Sequence, residues 1–148
     1  MLFLAIAMIA IFFIGMALSA DAEVDRKDGE LISIPCAVSH IYKGSFLGAS
    51  SGYARALTAG DVFLGISYEE KDNSAGSAGD LSVRAWRRGV FLLTGSGFTQ
   101  GTVGSVIYAS DDATVTTTAG SNSKIGRCVG YYSATQIWVD IDPVAISV

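Results

Sequence analysis

The sequence predicts an all-β domain, a compact sandwich or barrel, and three observations carry that expectation. From Leu31 onward no run of ten or more residues places apolar side chains at helical spacing without an intervening glycine or turn residue. Short runs instead alternate between side-chain types, the period of two that sends neighbouring side chains to opposite faces of a strand. Clusters of Gly, Ser, Asn and Asp separate these runs closely enough for about eight to ten short strands.

The first apolar run, residues 31–38, contains Pro35. Proline cannot donate to a ladder, so this segment is expected as an edge strand or an extended arm. Gly48-Ala-Ser-Ser-Gly52 follows as a turn. In the next run Val62, Leu64, Ile66 and Tyr68 share one face, with Phe63, Gly65 and Ser67 on the other. The longest loop, residues 69–80, holds small and charged residues and is expected to be solvent-exposed and mobile. Beyond it Leu81, Val83 and Ala85 oppose Ser82, Arg84 and Trp86. Turn clusters at Gly95-Ser-Gly97, Ser110-Asp-Asp112 and Ala119-Gly-Ser-Asn-Ser123 punctuate the rest. The last clear strand sets Ile137, Val139 and Ile141 against Gln136, Trp138 and Asp140.

Composition divides the chain in two. Half of the 148 residues are hydrophobic, but 18 of them fall within the first twenty positions, none of which is charged. Outside that stretch 56 of 128 residues are apolar, about 44%, a globular proportion. The body is large enough for one domain with its own core and too short for two. Residues 1–20 admit three readings: a cleaved signal, a membrane anchor, or an upstream extension with Met16 as the true start. The organisation expected is an apolar segment over 1–20, an extended arm over 21–40 and a β domain over 41–148.

With 10 Lys and Arg against 14 Asp and Glu, the net charge is −4, which argues against nucleic acid as a partner. A membrane becomes a partner only if residues 1–20 are retained as an anchor. Cys36 and Cys128 cannot form a zinc site alone, and His40 is the single histidine. The two cysteines are expected as buried free thiols, or as one disulfide if the chain is exported.

Motifs that imitate chemistry lack their context. Gly48-Ala49-Ser50-Ser51-Gly52 fits the G-x-S-x-G pattern, but no helix pattern follows and His40 precedes the serine. Ser121-x-x-Lys124 lies in a turn cluster, and Gly95-x-Gly97 lacks the third glycine of a phosphate cradle. Glu69-Glu70, Asp111-Asp112 and Asp140-x-Asp142 read as solvated turn charges rather than as an acid/base pair or calcium site. Arg84, Arg87 and Arg88 beside Trp86 are expected to pair with carboxylates across a strand or at an interface. The expectation is a non-enzymatic protein without cofactor or metal.

The order of motifs carries more than any one of them. Ile41-Tyr42-Lys43-Gly44, Ser51 to Leu57, Ala59 to Ile66 and Ala75-Gly76 are followed by Val83-Arg84-Ala85-Trp86 and Gly89-Val90-Phe91. Gly101 to Tyr108, Asp111-Asp112, Lys124 to Arg127 and Ile137-Trp138-Val139-Asp140 complete the series. Over residues 31–142 this order resembles the small capsid cement, or head decoration, proteins of tailed bacteriophages and prophages. The resemblance implies a β domain on the outer surface of a virion, often a homotrimer, that locks neighbouring major capsid protein subunits together. It implies no active-site residues. The apolar front end departs from the family pattern, which favours the reading in which Met16 is the start; a fourth reading has the segment retained and packed as a helix in the virion.

Residues 21–39 are then expected as an arm that orders by adding to a capsid or neighbouring-subunit sheet. Candidate capsid or subunit contacts are Ile32, Ile34 and Pro35 on that arm, Tyr42 beyond it, and Arg87 and Arg88. The alternative is an exported or envelope-anchored β domain for adhesion or ligand binding.

Overall fold

Alternating burial along short strands builds a five-stranded sheet, a closed barrel and a two-stranded pair around two clusters of buried side chains. The computed structural model describes residues 30–143; expectations for residues 1–29 lie outside the described residues. Twelve strands run through them: β1 (Leu31–Pro35), β2 (His40–Ile41), β3 (Phe46–Ser50), β4 (Tyr53–Ala56), β5 (Phe63–Ser67) and β6 (Lys71–Asp72), then β7 (Ser82–Trp86), β8 (Gly89–Gly95), β9 (Val106–Ala109), β10 (Thr114–Thr116), β11 (Ser123–Ser133) and β12 (Gln136–Ile141). The two beyond the expected number are β2 and β6, two residues each and too short to show a period in sequence. A single 3-10 turn, Gln100–Thr102, is the only helical element among the described residues.

The first sheet has the order β1-β7-β5-β3-β4. Its two edges meet through a parallel bridge between Cys36 and Ala54, where the Ala37 N–H donates to the Ala54 carbonyl at 2.8 Å. The sheet therefore rolls up around Cys36, Ile41, Leu47, Ala54, Val83 and Ala85, with Ile34 and Leu64 packed against them. The second sheet is a closed barrel of order β10-β8-β12-β11-β9. Its β8–β10 pairing is parallel and the rest antiparallel. Closure removes the free edges that an open sheet exposes.

Alternation along β3 joins the two halves. Leu47 points into the rolled sheet, while Phe46 points the other way and packs with Phe63, edge to face at 6.5 Å between ring centroids. Phe46, Leu57, Phe63 and Ile66 share one cluster with the barrel side chains Leu93, Phe98, Ile107, Val115, Ile125, Ile137, Val139 and Ile141. The sandwich-or-barrel expectation thus resolves into a barrel with a rolled sheet packed on it.

Three local expectations are corrected. In the run around β5, Phe63 and Ile66 fall in the same cluster while Val62 is 64% exposed. The cause is a bulge: Leu47 faces Gly65 and Gly48 faces Phe63, so Leu64 is extra and the face changes hand. Gly65 permits it, with φ at +141° and space so tight that a Cβ would lie 2.3 Å from the Trp86 carbonyl oxygen.

The expected arm is partly domain. Strand β1 already pairs along its length with β7, from Leu31 opposite Trp86 to Pro35 opposite Ser82, and Cys36 is fully buried. It is an edge strand, as Pro35 requires, so paired sheet is present from Leu31, within the segment expected as an arm. The long loop is also more structured than its composition implies. It contains β6, paired with β2, and the buried Asn73, whose side-chain amide donates to the carbonyls of Ala37 at 3.0 Å and Ser77 at 2.8 Å. Residues 74–80 are exposed as expected, whereas Leu81, expected on the face of Val83 and Ala85, is exposed as well.

Candidate functional site

The G-x-S-x-G segment is a hairpin. Ser50 ends β3, Tyr53 begins β4, and Ser51 and Gly52 form the two-residue turn with φ of 50° and 84°. Gly48 is there for packing: a Cβ would sit 2.3 Å from an Asp61 carboxylate oxygen. Asp61 needs that position because it takes two bonds from Arg55, at 2.8 and 3.0 Å, and one from the Thr58 N–H at 3.0 Å. The Arg55 guanidinium holds the Asp61 carboxyl below its ordinary pKa, against the opposing effect of partial burial. The 119–122 turn closes on itself through Asn122 N–H to the Ala119 carbonyl, and Lys124 stands on β11. Gly95 ends β8 and donates to the Thr135 carbonyl.

The acidic neighbours take separate partners. Glu69 accepts from the Arg84 side chain at 2.8 and 3.2 Å and from the Arg84 backbone N–H at 3.1 Å, with Lys71 at 3.8 Å. Arg84 accordingly holds the Glu69 carboxyl at a pKa of about 2. The same guanidinium lies 4.7 Å above the Tyr68 ring, which meets Trp86 edge to face at 5.5 Å. Glu70 turns instead to His40, at 2.8 Å from Nε2, while Asp72 stands 3.8 Å from Nδ1. Tyr42 stacks on the His40 ring at 4.2 Å. Among the described residues no group of three or more His, Cys, Asp or Glu side chains could hold a metal. Cys36 and Cys128 are buried free thiols in different clusters.

The sequence-derived contact candidates fall in different places. Ile34 packs into the rolled sheet's own core, and Ile32 lies on the same face, opposite Ala85. Ile34 is thereby committed to the fold, whereas Ile32 stays half-buried. Pro35 is exposed at the end of β1, and Tyr42 is 59% exposed on the turn after β2. Arg87 and Arg88 link β7 to β8. Arg88 is exposed; Arg87 is half-buried, its main-chain N–H donates to the Glu30 carbonyl at 2.8 Å, and its buried Nε has no hydrogen-bond partner among the described residues.

From that corner β8 runs into the outer face of the barrel, and this face carries exposed Val, Tyr and Trp side chains. Residues opposite one another share a face, so Val90, Leu92 and Trp138 all point outward, Leu92 directly across from Trp138. Trp138 also faces Gly130 on β11, where a Cβ would come within 3.2 Å of the indole. Gly130 lets the indole lie across the strand. Bulges flanking Gly130 in β11 accompany the exposure of Val129 and Tyr132. Val90 is 51%, Trp138 39%, Val129 48% and Tyr132 61% exposed. Asp140, between Val90 and Arg127 in register, is the acidic residue of this row. Sequence reasoning did not single this surface out, yet its signal was present: Trp138 alternates with the core residues Ile137 and Val139.

Comparison of the chain with protein-family models, with curated proteins and with solved structures finds no match. Among the described residues no helix is long and apolar enough to cross a membrane.

Proposed function

We propose that the chain is a structural virion protein that decorates and cements the capsid of a tailed phage or prophage, binding major capsid protein subunits and assembling as a trimer. The observation that carries this reading is the outer barrel face of Val90, Leu92, Trp138, Val129 and Tyr132. Exposed Val, Trp and Tyr side chains on neighbouring strands are the composition of a protein-binding surface, since each such side chain gains most by leaving water against a partner. The motif order along residues 31–142 supplies the kind of partner. A closed barrel packed on a rolled sheet suits a clamp that must stay folded while many copies bear load.

The test is cosedimentation of the full chain with undecorated shells made from the major capsid protein of the phage or prophage that carries its gene. Retention at saturating stoichiometry, with a rise in shell melting temperature, supports the reading. A chain that stays in the supernatant and fractionates with membranes instead contradicts it, and favours the anchored adhesion module.

A further inference from the structure

We propose that Arg87 and Arg88 form a cationic anchor for a carboxylate-bearing segment of the partner protein, which lies with its apolar side chains on Val90, Leu92 and Trp138. The inference rests on the decoration reading and names the chemistry that its partner must present. Three observations carry it. Among the described residues the buried Arg87 Nε has no acceptor, a polar group left unmet beside a charge. Among the described residues no carboxylate stands within ion-pairing distance of either guanidinium, whereas Arg55 and Arg84 each have one at 2.8 Å. And the two arginines lead directly into β8, whose outward residues Val90 and Leu92 begin the apolar row.

A carboxylate fits this corner because a guanidinium presents paired N–H donors to it, and the bond strengthens where apolar neighbours exclude water. Asp140 does not supply that charge: it is the register partner of Arg127 on β11 and of Val90 on β8. An acidic residue on the partner that met the outer edge of Arg87 or Arg88 would offset the desolvation already incurred at Nε. Specificity follows, since a partner with lysine or arginine at that point would be repelled.

The experiment titrates the full-length chain onto undecorated shells as above, comparing wild type with Arg88→Glu, Arg87→Gln, Val90→Asp and Arg88→Lys, and with Lys43→Glu as a distant surface control. Far-UV circular dichroism and thermal melts report whether each variant is folded. Arg88→Glu and Val90→Asp are expected to bind at least about tenfold more weakly, Arg88→Lys to fall between them and wild type because it keeps the charge but loses the paired donors, and Lys43→Glu to stay within about threefold of wild type. Wild-type binding is expected to weaken with salt, and Arg88→Glu to lose most of that dependence. Wild-type binding with folded Arg88→Glu and Val90→Asp variants that bind equally well leaves decoration standing and overturns the anchor. Failure of wild type itself to bind shells removes both. Variants that instead convert a wild-type oligomer to monomers in sedimentation velocity assign the face to a second copy of this chain, which also overturns the proposal.

Discussion

At the scale of single residues, the fold is held by close approaches that only certain side chains allow. Gly48 lets Asp61 reach Arg55 and cap Thr58, so Gly48→Ala must displace a short, fully engaged carboxylate. A destabilisation of about 1–3 kcal/mol is expected, measured as a shift in the denaturant midpoint. Glu69 gives a pH signature. Its folded pKa of about 2 lies below the ordinary 4.5, so its contribution to stability is present above pH 4.5 and is lost as pH falls towards 2. Glu69→Gln is therefore expected to flatten the stability profile between those two values while leaving the shape above pH 5 unchanged. Equal acid sensitivity in both proteins would show that Arg84 does not hold this carboxylate in solution.

Elements smaller than a sequence period decide how the strands are tied together. The β2–β6 pair and Asn73 close the long loop against the rolled sheet, and the buried Asn73 amide bonds the carbonyls of Ala37 and Ser77. Asn73→Ala should cost about 1–3 kcal/mol and raise amide exchange across residues 71–80, measured by hydrogen exchange. The long alternating runs were legible in sequence: Val83 and Ala85, and Ile137, Val139 and Ile141, are all buried as their spacing requires. Residues 62–68 were not, because one bulged residue reverses a period-two pattern and the pattern itself gives no sign of it. Pro35 correctly marked an edge, but nothing local revealed that β1 finds its partner fifty residues on, in β7. The candidate site was half legible for a related reason. Arg87 and Arg88 stood out as a charge cluster, whereas the apolar row beside them is assembled from β8, β11 and β12 and exists only once the barrel closes.

For the whole molecule, the shared cluster around Phe46 and Phe63 makes the rolled sheet and the barrel one cooperative unit. Phe46→Ala removes a ring that is 2% exposed and is expected to cost about 3–5 kcal/mol, with a single unfolding transition retained. Two separated transitions in calorimetry would mean that the halves fold independently. A unit of this kind presents its outer barrel face as a rigid surface, which is what a shell-binding clamp requires. The most direct measurement of that claim is hydroxyl-radical footprinting of the full chain, free and bound to undecorated shells. Binding through the barrel face predicts strong protection of Trp138 and Tyr132 on the shell. Unchanged labelling of Trp138 and Tyr132 on decorated shells, with protection elsewhere, would contradict it.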